Sequence, residues 1–312
     1  MRIFITGGTG QIGVRLIRAL RDRGDEVVLL SRQPSAWEIV GPDVTIVVGD
    51  PMQPGDWQKT VGECDGVINL AGANIFGKRW SAAYKQLIAE SRLRSTTNVV
   101  QALTNAPKRA DGSAKVLVSG SAIGYYGFHG DEILTEKDPA GSDYLAVASR
   151  DWESAAFAAE PAGVRVACIR IGVVLDARGG AIRNLMTPYK LGVGGPVGSG
   201  RQYMSWIHHA DIVGIILLAL DNPEAKGPIN GTAPAPVTNK EFAKAFGAAL
   251  GRPSFLPTPA FALRAMLGEV ATLVTRGQRV EPAKALALGY QFQFPDIGSA
   301  LREIVASAAA TA

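Results

Sequence analysis

The chain has 312 residues, 47% of them hydrophobic and 19% charged, and carries a net charge of +4. That balance suits one large α/β domain, or a domain with a smaller lobe, and excludes a disordered chain. A charge this small, with no basic run interleaved with aromatics, gives nucleic-acid binding no support.

The first stretch, Met1 to Gly13, organises the rest of the chain. Residues 3–5 read as a short buried strand. Gly7, Gly10 and Gly13 come next at three-residue spacing, and Ile12, Leu16, Ile17 and Leu20 recur at helical intervals between Gln11 and Arg23. One glycine permits a tight turn, one lets the backbone approach a pyrophosphate, and one lets helix and strand pack closely. The phosphates would meet the unpaired N–H groups and the positive dipole of the helix start. Gly7, Thr9, Gly10, Gln11, Ile12 and Gly13 are therefore expected to bind a dinucleotide.

Residues 27–30 form the second strand, and its end chooses the cofactor. A site for NAD usually places an acid there to hold the ribose 2′-OH, and a site for NADP supplies an arginine instead. This chain has Ser31 and Arg32, nineteen positions after Gly13. The forked donors of Arg32 can bond a 2′-phosphate, and Ser31 can add a hydroxyl. NADP(H) is expected over NAD(H).

Further strands alternate with helical segments, which implies a doubly wound parallel sheet. The third strand, 44–48, ends in Gly49 and Asp50. Because the carboxyl ends of such strands face the ligand, Asp50 either lies near the adenine or caps the next turn. The fourth strand runs into a loop of small residues, where Asn69, Ala71 and Gly72 are expected to line the cofactor. Ser81 reads as the cap of a helix reaching about Leu103, with Ile88, Leu93, Val99 and Val100 on its apolar side. Arg79, Lys85 and Arg92 give the cleft a basic approach, although Lys85 reads more readily as part of a solvated helix face, and Arg79 and Trp80 are expected as substrate contacts.

A fifth strand, 115–119, opens into the hydroxyl-rich loop 120–127. There Ser121 and Tyr125 are expected as catalytic hydroxyls, with Tyr126 facing substrate. Asp143 starts a helix that buries Trp152, Ala156 and Phe157. The sixth strand, 164–171, brings Ile171, Gly172 and Val173 to the nicotinamide end. The glycine-rich run 192–200 reads as a flexible substrate loop. Residues 205–211 form a short strand entering a helix. Trp206 is expected at the substrate, and His208 and His209 lack partners at metal-ligand spacing, so no metal site is expected. An edge strand at 228–232 precedes helical stretches over 239–250, 259–267, 270–276 and 296–305. The expected fold is a Rossmann core over 1–175 and a smaller, mainly helical substrate lobe over 176–312, with 203–222 returning to the core.

Cys64 and Cys168 lie far apart in apolar surroundings and read as core thiols of a reducing compartment. Because the chain starts on its first strand no signal peptide is expected, and its longest apolar run, 212–220, is too short to span a membrane. A cytoplasmic protein acting on a small molecule is expected, with no nucleic-acid or membrane partner. A homodimer is left open.

With these residues in view the chain resembles an extended short-chain dehydrogenase/reductase. More narrowly, it resembles the atypical epimerase family proteins whose C-terminal part is a domain of unknown function. The resemblance rests on Thr6-Gly-Gly-Thr-Gly-Gln-Ile-Gly13, Ala71-Gly-Ala-Asn74 with Arg79-Trp80, and Ser91-Arg92. Further on it rests on Ser119-Gly-Ser-Ala-Ile-Gly-Tyr-Tyr-Gly127, Trp206-Ile-His208 and the run Asn230 to Asn239. It implies a nucleotide site without the usual reductase pair of a Tyr and a Lys four positions later. Tyr144 is followed there by Ala148, and the alternative register places Leu145 and Ser149. A tyrosine without a neighbouring cation keeps a pKa near 10 and is a poor base at neutral pH. Two readings are open. One is an NADP(H)-dependent oxidoreductase or epimerase, and the other is a catalytically weak cofactor-binding sensor or scaffold.

Overall fold

Ile3 and Ile5 point to one face of the first strand and Phe4 to the other, and all three are fully buried. Side chains alternate along a strand, so this one lies mid-sheet with both faces covered. The computed structural model describes residues 1–107 and 112–310; the last two residues of the alanine-rich tail lie outside them.

The first half runs β1 (Arg2–Thr6), α1 (Gln11–Asp22), β2 (Glu26–Ser31), α2 (Trp37–Val40), β3 (Thr45–Val48), α3 (Trp57–Gly62), β4 (Gly66–Asn69), α4 (Ala82–Asn105) and β5 (Val116–Ala122). Then come β6 (Ile133–Leu134), α5 (Tyr144–Phe157), β7 (Arg165–Ile171), β8 (Val173–Leu175), α6 (Gly180–Lys190), β9 (Tyr203–Met204), β10 (Trp206–His208) and α7 (His209–Asp221). The remainder is β11 (Gly227–Gly231), β12 (Val237–Thr238), α8 (Asn239–Leu250), α9 (Ala260–Leu267), α10 (Thr272–Thr275), β13 (Arg279–Val280), α11 (Ala283–Ala287) and α12 (Ile297–Ala310).

Seven parallel strands form the main sheet in the order β3-β2-β1-β4-β5-β7-β11. Winding reverses between β1 and β4, and this switch point opens the ligand crevice of a Rossmann sheet. Helices α1 and α7 cover Ile3 and Ile5 through Leu16, Ile17, Ile212 and Ile216. On the other face α3, α4 and α5 cover Phe4, Val28 and Val67 through Val61, Val99, Leu103 and Ala156.

The cap read at Ser81 is in place, and Asp143, expected near the start of its helix, is the N-cap there. Ser81 Oγ accepts from the Tyr84 N–H, and Asp143 Oδ1 accepts from the N–H groups of Leu145 and Ala146. Leu93, expected on the buried side of α4, is 43% exposed. It stands five positions after Ile88, about 140° round the helix from it.

The core extends beyond residue 175. β8 pairs in parallel with β10, α7 packs on α1, and β11 joins the main sheet beside β7. The return expected over 203–222 thus continues to Gly231. β13 also pairs with β6, which draws the late part of the chain against the core. The lobe has its own apolar cluster of Leu175, Ile182, Tyr189, Trp206, Phe242, Phe246, Leu301 and Ile304. Among the described residues no helix is long and apolar enough to cross a membrane.

Candidate cofactor and substrate cleft

Gly7 adopts φ +70°, and a Cβ there would lie 2.6 Å from the Leu70 carbonyl carbon. Only glycine fits both the left-handed turn and the approach of β1 to the chain leaving β4. At Gly13 a Cβ would meet the Gly8 Cα at 2.5 Å, so the start of α1 lies directly on the turn. Gly10 is the N-cap, no side chain caps this helix, and its first turn holds no acid. Thr9 and Gly10 are exposed, and Gln11 and Ile12 half-buried. A helix start with bare N–H groups, in an exposed crevice, is what a pyrophosphate needs. The Gln11 side chain lies against Gly179 and Gly180, and its Nε2 is buried with no partner among the described residues. One helical turn on, Arg15 pairs with the buried Asp176. Burial would raise the Asp176 carboxyl, but the paired guanidinium outweighs it and holds the group below the usual carboxylate range.

At the end of β2 the Ser31 hydroxyl accepts from the Gln33 N–H. Arg32 is exposed and forms no ion pair with a described carboxylate. Asp50 accepts from the Met52 N–H at 3.0 Å, which closes the turn after β3. The cap reading of Asp50 is therefore the one the geometry displays.

The opposite wall rests on a buried polar chain. Thr6 Oγ1 donates to Asn69 Oδ1 at 2.6 Å, and Thr96 Oγ1 accepts from Asn69 Nδ2 at 2.8 Å and from Trp152 Nε1 at 2.9 Å. Asn69, expected to line the cofactor, is fully buried with its amide spent inside this chain. Its polar groups support the wall, and the surface is left to Gly72, which is exposed, while Ala71 is 8% exposed. Ile171, Gly172 and Val173 are half-buried where β7 passes into β8.

Three further expectations are corrected. The strand β5 continues to Ala122, because Gly120, Ser121 and Ala122 stay in register with Ile169, Arg170 and Ile171. Ser121 is therefore 2% exposed, and its hydroxyl donates to Glu153 Oε1 at 2.6 Å. Glu153 is paired through both oxygens with Arg170, and each side chain is at most 5% exposed. Tyr126 is fully buried: its hydroxyl donates to Asn230 Oδ1 at 2.7 Å and accepts from Arg170 Nη1 at 2.9 Å. Burial outweighs these contacts and pushes its pKa up to about 12. Trp206 is fully buried in the lobe cluster, with Nε1 bonded to the Ala235 carbonyl. The polar atoms of these three residues are bonded inside the fold.

Tyr125 differs. It is half-buried, its ring lies over the Arg170 guanidinium at 3.4 Å, and its hydroxyl bonds to no described residue. Tyr144, on the first turn of α5, donates its hydroxyl to the Lys85 carbonyl and packs edge-on against Trp80. Burial raises its pKa despite nearby Arg92, so it is protonated at neutral pH. Trp80 is half-buried, and exposed Arg79 lies against Gly268 of the lobe. Lys85 is paired with Glu269.

His208, His209 and Glu303 bring three ligand-type atoms within 4.8 Å of one another. His208 Nδ1 accepts from the Ala210 N–H, so its proton sits on Nε2, which donates to Glu303 at 2.8 Å. That tautomer leaves His208 no lone pair for a metal ion. Sequence reasoning missed Glu153, Arg170 and Asp176. No local spacing marks them, and only a charged residue inside an apolar run, as Arg170 is between Ile169 and Ile171, hints at a buried pair.

Residues 3–230 match the NAD dependent epimerase/dehydratase family, and residues 258–304 match a domain of unknown function, DUF1731. The chain is 43% identical over 305 residues to the Arabidopsis thaliana chloroplastic "Epimerase family protein SDR39U1 homolog", spanning 98% of this chain and 87% of that protein. It is 39% identical to human "Epimerase family protein SDR39U1", over 98% of this chain and all of that one. The crystal structure of the human protein (isoform 2) with NADPH superposes with a TM-score of 0.85 at 36% identity, covering 98% of this chain and 99% of the other. A nucleoside-diphosphate sugar epimerase from Corynebacterium glutamicum gives 0.78 at 32% identity, over 98% of this chain and 58% of that one. With its glycine turn, switch-point crevice and trailing lobe, this chain belongs to the NAD dependent epimerase/dehydratase family.

Proposed function

We propose that the protein binds NADP(H) and acts as an oxidoreductase, or a hydride-shuttling epimerase, on a small polar substrate in the cytosol. The observation that carries the reading is the bare start of α1 together with an exposed arginine after β2 that pairs with no described carboxylate. The residues fit the cofactor: Gly7 and Gly13 make the cradle that a Cβ would fill, and Ser31 and Arg32 rather than an acid stand at the end of β2. The NADPH in the human relative's crystal supports the phosphorylated form.

Bound there, the cofactor supplies the hydride. The chain's part is to orient both molecules and to give a proton. Tyr125 is the group placed for that, because its hydroxyl is unspent while its ring is held by Arg170. Buried free thiols at Cys64 and Cys168 suit a reducing compartment.

The test follows NADPH absorbance while the protein meets a panel of small aldehydes, ketones and sugar nucleotides. Turnover that falls about a hundredfold in Tyr125→Phe, with NADPH affinity kept, supports the reading. The sensor reading is favoured by the locked Ser121 and by Tyr144 bonding only a carbonyl. NADPH bound tightly but left unoxidised by the whole panel would decide for it.

A further inference from the structure

Arg92 projects from α4 into the wall between α4 and α5. Its Nη1 donates to the carbonyls of Ala73 at 3.1 Å and Ile88 at 3.0 Å, and its guanidinium lies 5.2 Å from the Trp152 ring centroid. Among the described residues no carboxylate pairs with it. The neighbouring cation shows the contrast, since Lys85 is taken by Glu269. Burial lowers the Arg92 pKa, yet a guanidinium stays charged in a protein. A largely desolvated charge that meets only neutral carbonyls is costly unless an anion completes it.

The free edge of this guanidinium is where the anion belongs. Nε and Nη2 have no partner among the described residues, and neither atom is sealed from solvent. Gly72 supplies the access: a Cβ there would come within 3.1 Å of Arg92 Cζ. Gly72 comes directly after Leu70 and Ala71, against which the glycine turn packs, so the edge opens one step outward from the nucleotide crevice. The cofactor's own anions are already provided for, by the α1 start and by Arg32. Besides burial, Tyr144 and Tyr84 are the ionisable side chains that act on Arg92 electrostatically.

We propose that Arg92, lying over Trp152, receives an anionic group of the substrate, a carboxylate or a phosphate, reached past Gly72. Two parallel N–H donors suit either group. This rests on the NADP(H)-dependent reading, and it narrows the substrate to an anion.

The test is calorimetric titration of the NADPH-loaded protein, at low salt, with acetate and separately with inorganic phosphate. Wild type, Arg92→Met and Arg92→Lys are compared, and NADPH affinity is measured on all three. Saturable binding of at least one anion, weakened tenfold or more in Arg92→Met and partly kept in Arg92→Lys, with NADPH affinity within twofold, is expected. Which anion binds tells carboxylate from phosphate. No saturable binding of either by wild type overturns the proposal, as does unchanged anion binding in Arg92→Met. A tenfold loss of NADPH affinity in Arg92→Met also overturns it, by giving the guanidinium to the cofactor. Should Arg92→Met not fold, Arg92→Lys decides, because a flexible point charge should weaken a two-pronged contact severalfold. Wild-type protein that binds no NADPH sinks the cofactor reading instead.

Discussion

Arg15 and Asp176 form a two-pronged ion pair, with Nε and Nη2 each 2.7 Å from a carboxylate oxygen. It ties the helix that starts at the glycine turn to the segment leaving β8, where the lobe begins. Asp176 is 1% exposed and Arg15 26%. Stranding either charge is therefore costly, although water screens the arginine end. Asp176→Asn is expected to lower stability by about 2 kcal/mol in urea denaturation near neutral pH. The Asp176 carboxyl titrates below its unfolded value of about 3.9. Its contribution is therefore full above that value and is lost as the pH falls through the folded one. The gap between wild type and Asp176→Asn should close below about pH 4.

Glu153 and Arg170 are a buried pair with Ser121, Tyr126 and Asn230 drawn into their network. Removing one charge leaves the other inside the core. Arg170→Met should cost about 3–5 kcal/mol in thermal or chemical unfolding. Adding Glu153→Leu to that variant should restore much of the loss, because an apolar pair of similar volume packs without a stranded charge. A double variant no more stable than Arg170→Met would show that the other members of the network need the pair.

Thr96 Oγ1 serves as acceptor for two buried donors, Asn69 Nδ2 and Trp152 Nε1. Thr96→Val keeps the shape and removes the acceptor. The expected loss is about 2–4 kcal/mol, since each stranded donor forfeits its partner. Tryptophan fluorescence should change with it. An unaltered unfolding midpoint would mean that water replaces the hydroxyl.

Much of this was legible because it is local. The glycine turn, the strand and helix around it, and the caps at Ser81 and Asp143 depend on a few adjacent residues and on one periodicity. The position of Arg32, directly after β2, was legible for the same reason. What failed was long-range. Ser121, Tyr126 and Trp206 have the polar or aromatic character of site residues, and nothing in their neighbourhoods announces that Glu153, Asn230 or Ala235 will take up their polar atoms. The edge strand read at 228–232 is present, but its neighbour was not legible. Strand β11 is separated by about 55 residues from β7, which it pairs, and hydrophobic patterning carries no information about which strand is the neighbour.

The central claim is that the start of α1 seats a dinucleotide whose 2′-phosphate Arg32 reads. Titration of wild type and Arg32→Ala with NADPH and with NADH, tracked by cofactor fluorescence at fixed ionic strength, tests it most directly. NADPH should bind wild type more tightly than NADH. Arg32→Ala should weaken NADPH by about ten- to a hundredfold while leaving NADH unchanged, the loss of a charge-assisted contact of about 1.5–3 kcal/mol. Equal affinities for the two cofactors, or an NADPH affinity untouched by Arg32→Ala, would contradict it.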